Sequence, residues 1–220
     1  LASHGVHPFL DINNVVVPPP QMSGHLAVGN MDGFCAGEPW NALAIHEQAG
    51  FTAATSQDIW PDHPEKVLAC GAEFVDRQPD LARALIMAVL EAARYLGTEQ
   101  GCREAATLLA GPEYINVSVG LIEDRLLGQY QDGLGRTWRD AHAMRFFDDG
   151  QVNFPWLSDG MWFLTQQYRW GMLAGHPDYL AVARRVNRID LYREAASRIG
   201  VAAPSEEMRA STLLDGRIWD

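Results

Sequence analysis

The chain has 220 residues, of which 47% are hydrophobic and 20% charged, and these ordinary globular values exclude the disordered and fibrous classes. Its formal net charge of -11 argues against a nucleic-acid surface, which needs clustered Lys and Arg, so we expect no direct nucleic-acid partner. No apolar run of about eighteen residues occurs, and we therefore predict no membrane span.

Residues 1–50 alternate two short apolar runs with two helical patterns. Three valines and three prolines within Asn13–Pro20 predict a buried strand of a parallel sheet, and the run GFCA at 33–36 predicts a second one. Apolar spacing predicts a helix after each strand, over QMSGHLAV before Gly29 and over EPWNALAIHEQA before Gly50. Strand, helix, strand, helix is the order of elements in an open α/β sheet.

One more strand precedes a mostly helical remainder. KVLAC at Lys66–Cys70 predicts a third buried strand, and apolar residues at three- and four-residue steps predict a long amphipathic helix from Pro79 to Gly97. We assign residues 1–55 to the remainder of one α/β lobe and residues 56–220 to the strand and helices that complete the other. Further helices are predicted at about 100–110, 119–129, 156–173 and 188–199, with a turn-rich excursion at 128–155.

The cysteines and the first residues bear on the cellular compartment. The three cysteines, Cys35, Cys70 and Cys102, are odd in number and far apart, so we expect buried, inert thiols rather than disulfides. Unpaired thiols favour a reducing compartment slightly and do not exclude export. The sequence begins with LASHGVHPF and shows no targeting segment, and we expect a chain that begins part-way through a fold.

The stretch MDGFCAGEPWN places a glycine, an acid, a proline and a tryptophan directly behind a predicted strand. In an open parallel sheet, ligands bind beyond the carboxyl ends of the strands, where the next helix presents unpaired N–H groups. Such a helix start attracts anions, and Gly37 lets a ligand approach the backbone with no Cβ in the way. Glu38 is a candidate acceptor for the unpaired N–H groups at the helix N-terminus. Trp40 either forms a wall of the site or packs against the rest of the protein. The spacing fits an anion site and a plain helix start equally.

The sequence DHPEK at 62–66 combines two carboxylates, an imidazole and a lysine. A metal site is one interpretation, but Pro64 splits the cluster and no second His or Cys group stands at zinc spacing, so a solvated loop is favoured. Lys66 is a single positive charge at the head of a predicted strand, which makes it a candidate partner of an anion.

Other signals of catalysis or metal binding are missing from the sequence. The seven histidines, His142 among them, form no i, i+4 pair. No nucleophile elbow, Gly-rich phosphate loop or catalytic-triad order can be read. We therefore predict neither enzyme activity, nor a cofactor, nor a metal site.

Five ordered motifs are similar to the solute-binding proteins of nitrate and bicarbonate ABC importers: VVVPPPQM, VGNMDGFCAGEPWN, SQDIWPDHPEKVL, VNFPWLSDGMWFLTQQYRWGM and LLDGRIWD. The resemblance runs from Val15 to Asp220 and covers the second half of a family member. It implies a partial type II periplasmic-binding-protein fold, an α/β architecture of two lobes that close on an oxyanion, and it implies no reaction.

The resemblance also implies site residues. Carried over onto this chain, Gly37 contributes backbone to the anion and Lys66 faces it with charge, and we place Glu38 and Trp40 at the same site. The family's earlier Trp, Gln and His contacts would precede Leu1.

Three functions remain open under this resemblance. If the protein is an importer subunit, its ligand is a small inorganic anion, and nitrate or nitrite is favoured over bicarbonate. Its partner is then an ABC permease, and its location is periplasmic or membrane-anchored and extracytoplasmic. The family also includes cytoplasmic nitrate and nitrite sensors, which sequester an RNA-binding antitermination protein. An enzyme on the same fold, such as a pyrimidine-precursor synthase, needs a catalytic His that the sequence does not identify. We favour the importer, because such members are the commoner match to these motifs.

Overall fold

The computed structural model describes residues 1–140, 143–213 and 215–220, and in these ranges the chain forms ten α-helices and two short β-hairpins. The helices are α1 Pro19–Ala27, α2 Trp40–His46, α3 Ser56–Ile59, α4 Ala72–Arg77, α5 Pro79–Leu96, α6 Glu99–Leu109, α7 Val119–Leu126, α8 Leu157–Arg169, α9 Tyr179–Val186 and α10 Ile189–Arg198. The antiparallel pairs are β1 Gln129–Gln131 with β2 Thr137–Arg139, and β3 Ser211–Thr212 with β4 Ile218–Trp219.

The chain divides into two compact units, each made of two segments. The first unit comprises Leu1–Ile59 and Arg103–Ala143, and the second comprises Trp60–Cys102 and Met144–Asp220. These units are groups of residues that contact one another within the chain. They do not show to which lobe of a two-lobed protein each residue belongs. The predicted division of the lobes at residue 55 therefore stays a prediction.

The first unit is built on two helix contacts and a hairpin. Helix α1 contacts α2, and the buried Ser23 hydroxyl donates to Glu47 Oε2 at 2.5 Å just beyond the end of α2. Helix α2 also contacts α7, which leads directly into β1. Tyr130 stands opposite Trp138 in the hairpin register, and the two rings stack with centroids 5.4 Å apart. The hairpin is thereby joined to α7 by sequence and closed by an aromatic pair.

The second unit contains the main hydrophobic core. Helix α5 contacts α10, and α8 contacts α9, so that these four helices enclose one cluster of buried side chains. The Tyr192 hydroxyl inside this cluster donates to Gly150 O at 2.6 Å, and burial raises the pKa of Tyr192 to about 12, which keeps the phenol neutral. The buried residues of the cluster are Leu90, Phe154, Leu157, Ala183, Ile189, Tyr192, Ala196 and Val201.

Helix α5 has the predicted start and end. Pro79 occupies the first turn, Asp80 follows it there, and Gly97 stands at the C-cap. Arg83 pairs with Asp80 at 2.8 Å and with Glu194 at 2.9 Å, which ties α5 to α10 at the edge of the core. Local sequence signals and tertiary packing agree in this helix, so its prediction is confirmed.

The three predicted strands are wrong. Asn13–Pro20, residues 33–36 and Lys66–Cys70 form no ladder in the described part of the chain, and the last two prolines of the first segment begin α1 instead. Many of their apolar side chains are exposed, with Val16 at 102% and Val67 at 82% relative accessibility, while Val17 and Phe34 are half-buried. A strand needs a neighbour to accept and donate its backbone hydrogen bonds, and the described residues offer these segments none.

Several helix boundaries also differ from those predicted. Helix α7 ends at Leu126 rather than near residue 129, because Gly128, at φ +73°, turns the chain into β1. The excursion at 128–155 contains the β1–β2 hairpin. Helices α3, α4 and α9 went unpredicted, although Asp178 is a recognisable N-cap for α9 and accepts from Ala181 N at 3.0 Å.

Two of the three cysteines contradict the prediction of buried thiols. Cys35 and Cys70 are exposed, because they lie in the unpaired extended segments, whereas Cys102 is buried. Burial raises the pKa of the Cys102 thiol, with a smaller contribution from the charge of Glu99, and so keeps it protonated and inert.

None of the helices within the described ranges is long and apolar enough to cross a lipid bilayer.

The unpaired segments generate a prediction for amide hydrogen exchange. Amides at 13–17, 31–37 and 67–70 donate to no acceptor among the described residues, so in the 220-residue chain they should exchange at least about a hundredfold faster than amides in α5 and α10. Exchange followed by mass spectrometry on peptic fragments measures this ratio. Protection of these segments to the level of α5 would show that they are paired in solution and would contradict the structure.

Candidate functional site

Gly37 lies at the end of an extended segment and is exposed. Its carbonyl accepts from Trp40 N at 3.4 Å, while the neighbouring Ala36 carbonyl accepts from Asn41 Nδ2 at 2.9 Å. Its own N–H donates to no acceptor among the described residues. Helix α2 begins at the half-buried Trp40, directly after Pro39, and has only seven residues. The donor capacity at this turn is therefore that of the Gly37 backbone, with little help from so short a helix dipole.

Glu38 has both carboxylate oxygens engaged within the protein. Its Oε2 accepts from Ala42 N at 3.2 Å, which satisfies one of the unpaired N–H groups at the start of α2, as considered from the sequence. Its Oε1 accepts from Arg125 Nε at 3.1 Å, and the Glu38 side chain is only 17% exposed. The negative charge of Glu38 is thus compensated internally.

Arg125 is the residue of this site that the sequence analysis missed. It is buried at 3% exposure, its Nη1 donates to Gln129 O at 2.7 Å, and its guanidinium lies 4.7 Å from the centroid of the Tyr130 ring. Burial, and after it the charge of Glu38, raises the pKa of Tyr130, so the phenol stays neutral beside the ion pair. The only sequence signal was that this arginine falls within the apolar stripe of a helix. That position indicates burial but does not identify Glu38 as its partner.

Lys66 belongs to the second unit, whereas Gly37, Glu38 and Trp40 belong to the first. The Lys66 side chain is 81% exposed, and its Nζ lies 3.0 Å from Glu65 Oε1 and 3.2 Å from Glu65 Oε2. Although partial burial opposes the effect, the hydrogen bonds and charge of Lys66 hold the pKa of Glu65 below its usual value. An exposed pair of this kind contributes little to stability, so Lys66 can exchange Glu65 for an external anion at small cost.

The loop that contains Lys66 is anchored by aromatic side chains. His63 N donates to Trp60 O at 3.3 Å and closes a turn, and the Trp60 ring lies 4.5 Å from that of Trp162 in α8. No group of three or more His, Cys, Asp or Glu side chains in the described ranges is arranged to hold a metal ion. His142, which the sequence analysis considered, lies outside the described residues.

The chain matches known proteins over its whole length. A model of the NMT1-like family matches residues 1–110. The nitrate/nitrite binding protein NrtA of Synechococcus elongatus is 39% identical over 224 residues, which cover 100% of this chain and 50% of that protein. The bicarbonate-binding protein CmpA of Synechococcus elongatus is 33% identical over 227 residues, which cover 98% of this chain and 50% of that protein.

A solved structure shows the same path of the backbone. The crystal structure of the periplasmic nitrate-binding protein NrtA from Synechocystis PCC 6803 matches 100% of this chain and 58% of its own, with a TM-score of 0.92 and 36% identity. The predicted fold class, a partial type II periplasmic-binding-protein fold, is thereby confirmed, as is the resemblance to nitrate- and bicarbonate-binding proteins. The chain spans about half the length of the curated relatives it matches.

The Glu38–Arg125 ion pair generates a prediction for stability. Glu38→Gln leaves a buried guanidinium without its counter-charge, so the free energy of unfolding should fall by about 3 kcal/mol. The double variant Glu38→Gln/Arg125→Met removes the buried charge as well and should recover at least half of that loss. Urea denaturation followed by circular dichroism measures both values.

The matched control is Glu73→Gln, which removes one partner of an exposed i,i+4 pair with Arg77. Its free energy of unfolding should stay within about 0.5 kcal/mol of the unaltered chain. Equal effects of Glu38→Gln and Glu73→Gln would show that the Glu38–Arg125 pair contributes no more than a surface pair.

Proposed function

The chain belongs to the NMT1-like family, and from that premise we propose that it acts in a solute-binding protein that captures a small oxyanion, nitrate or nitrite, for an ABC importer. The observation that carries the proposal is the likeness, over the whole chain, to the periplasmic nitrate-binding protein NrtA. Identity is 39% to a nitrate/nitrite binding protein and 33% to a bicarbonate-binding protein, which favours nitrate or nitrite over bicarbonate.

The chemistry of the predicted site suits such a ligand. Nitrate is a planar monoanion whose three oxygens accept hydrogen bonds and donate none, so its site must present donors and positive charge. Gly37 offers an exposed backbone N–H with no acceptor among the described residues, and Lys66 offers a charge-assisted donor on an exposed side chain. Arg125 neutralises Glu38, so the carboxylate nearest Gly37 does not repel an anion.

Capture without reaction fits the remaining observations. The relatives compared above are named as binding proteins, and the solved one is described as periplasmic. We therefore assign this protein an ABC permease as its partner and an extracytoplasmic location, in preference to the cytoplasmic sensor.

Lys66→Ala tests the assigned charge. The loss of a charge-assisted donor to nitrate should weaken binding by at least about tenfold. Isothermal titration with nitrate measures the affinity, and Arg77→Ala, which removes an equally exposed cation of the same unit, should leave it unchanged. An unaltered affinity in Lys66→Ala would remove Lys66 from the site, whereas failure of the unaltered protein to bind nitrate or nitrite would overturn the proposed function.

Gly37→Val tests the assigned backbone donor. A branched side chain at this exposed position blocks the approach of an anion to the N–H and should abolish nitrate binding while the helical circular dichroism persists. Gly33→Val is the control, because Gly33 lies in the same extended segment and a Cβ there meets nothing within 4 Å. If Gly37→Val and Gly33→Val bind nitrate equally well, Gly37 contributes no donor.

A further inference from the structure

A basic groove lies in the second unit, between α9, the start of α10 and the segment that carries Glu207. The groove has a volume of about 670 Å³ and is open to solvent. We call it the arginine groove and define it by its charged lining: Arg184, Arg185, Arg188, Arg193, Asp190 and Glu207. Four guanidinium groups against two carboxylates give this lining a surplus of positive charge, although the chain as a whole carries -11.

The base of the arginine groove is rigid. Leu157, at its floor, is buried in the main core, and its N–H donates to Glu207 O at 2.9 Å. Asn187 Nδ2 donates to Trp156 O at 2.9 Å and holds the connection between α9 and α10 against the start of α8. The backbone that carries the basic side chains is therefore tied to the core of the second unit.

Two of the four arginines are already satisfied by internal partners. Arg188 forms a fork with Asp190, with Nε–Oδ1 at 2.9 Å and Nη2–Oδ2 at 2.6 Å. Arg193 Nη2 donates to Pro204 O at 3.1 Å and to Ser205 O at 2.9 Å. These two side chains hold the C-terminal segment and the start of α10, and they have a structural role without any ligand.

The other two arginines retain unused donors. Arg184 is 61% exposed and reaches Glu207 Oε2 only at 3.7 Å, while Glu207 Oε1 lies 3.4 Å from Arg193 Nη1. Charge-assisted bonds are usually about 2.7–2.9 Å long, so Glu207 holds these guanidinium groups loosely. Arg185 is exposed and has no partner among the described residues.

From this arrangement we propose that the arginine groove binds the phosphate group of a small molecule, as a second anion site independent of the nitrate site. A guanidinium matches the geometry of a phosphate with two parallel hydrogen bonds, and two available arginines complement a dianion. A phosphate dianion carries twice the charge of nitrate and therefore gains more from two guanidinium groups. A nucleic acid would meet the acidic remainder of the chain, so the ligand is small.

Titration of the 220-residue chain with inorganic phosphate, AMP and adenosine at low ionic strength tests the proposal. Phosphate and AMP should bind with a dissociation constant of about 1 mM or tighter, and adenosine should not bind. If AMP binds more tightly than phosphate, the ligand is of the nucleotide type. If the two bind equally, the phosphate group alone accounts for the binding. Absence of saturable binding by both phosphate and AMP, or equal binding of adenosine, overturns the proposal.

A charge-matched pair of double variants locates the site. Arg184→Ala/Arg185→Ala should weaken phosphate binding by at least about tenfold. Arg77→Ala/Arg217→Ala removes the same charge from exposed positions of the same unit, outside the groove, and should change the affinity by less than about twofold. Equal losses in the two double variants would show a response to net charge alone and would contradict a site in the groove.

Glu207→Gln provides a test in the opposite direction. This substitution removes the carboxylate that competes for Arg184, so phosphate should bind about threefold tighter or more. Weaker binding in Glu207→Gln, with helical circular dichroism retained, would show that Glu207 holds the arginines in place rather than competing with a ligand. Nitrate should not displace phosphate, and this outcome separates the groove from the nitrate site.

Discussion

The buried ion pair between Glu38 and Arg125 is the contact on which the geometry of residues 36–42 depends. One carboxylate oxygen satisfies the start of α2, and the other accepts from an arginine that also binds the first strand of the hairpin. The loop, α2, α7 and β1 thus share one charge pair. Because each partner alone would be an uncompensated buried charge, the arrangement holds only while both are in place, and this keeps the backbone of Gly37 at a defined position.

A second constraint is that three apolar segments find no strand partner in the part of the chain that the structure describes. Their backbone groups form no ladder with the described residues and Val15, Val16 and Val67 are exposed, yet the chain follows the path of a much longer solved protein with a TM-score of 0.92. A short apolar run forms a strand only where a neighbouring strand pairs with it, and the described residues provide no such neighbour here. The helical part needs no such neighbour, since each helix satisfies its own backbone and the core of the second unit is formed by its own residues.

The chain has a net negative charge, although we propose that the protein binds anions. The chain carries -11, and an anion must therefore be held by local donors. Among the candidate contacts, Arg125 neutralises Glu38 in the first unit, and in the second unit Lys66 forms only a weak surface pair with Glu65. In the arginine groove, Arg184 and Arg185 retain donors that the internal carboxylates do not saturate. In the arginine groove the local charge therefore differs in sign from the overall charge.

The sequence by itself determined the long helix α5, most of the longer helices after it and the fold family, and it named Gly37 and Lys66 as candidate anion contacts, which stay predictions. These depend on local periodicity, capping residues and short motifs, which act over a few residues and can be read along the chain. Only the tertiary structure decided that the β-branched runs stay unpaired, that Arg125 neutralises Glu38, and that four arginines surround one groove. The reason is physical: strand pairing, buried ion pairs and grooves join residues that are distant in sequence, and a sequence pattern states a preference without naming the partner that satisfies it.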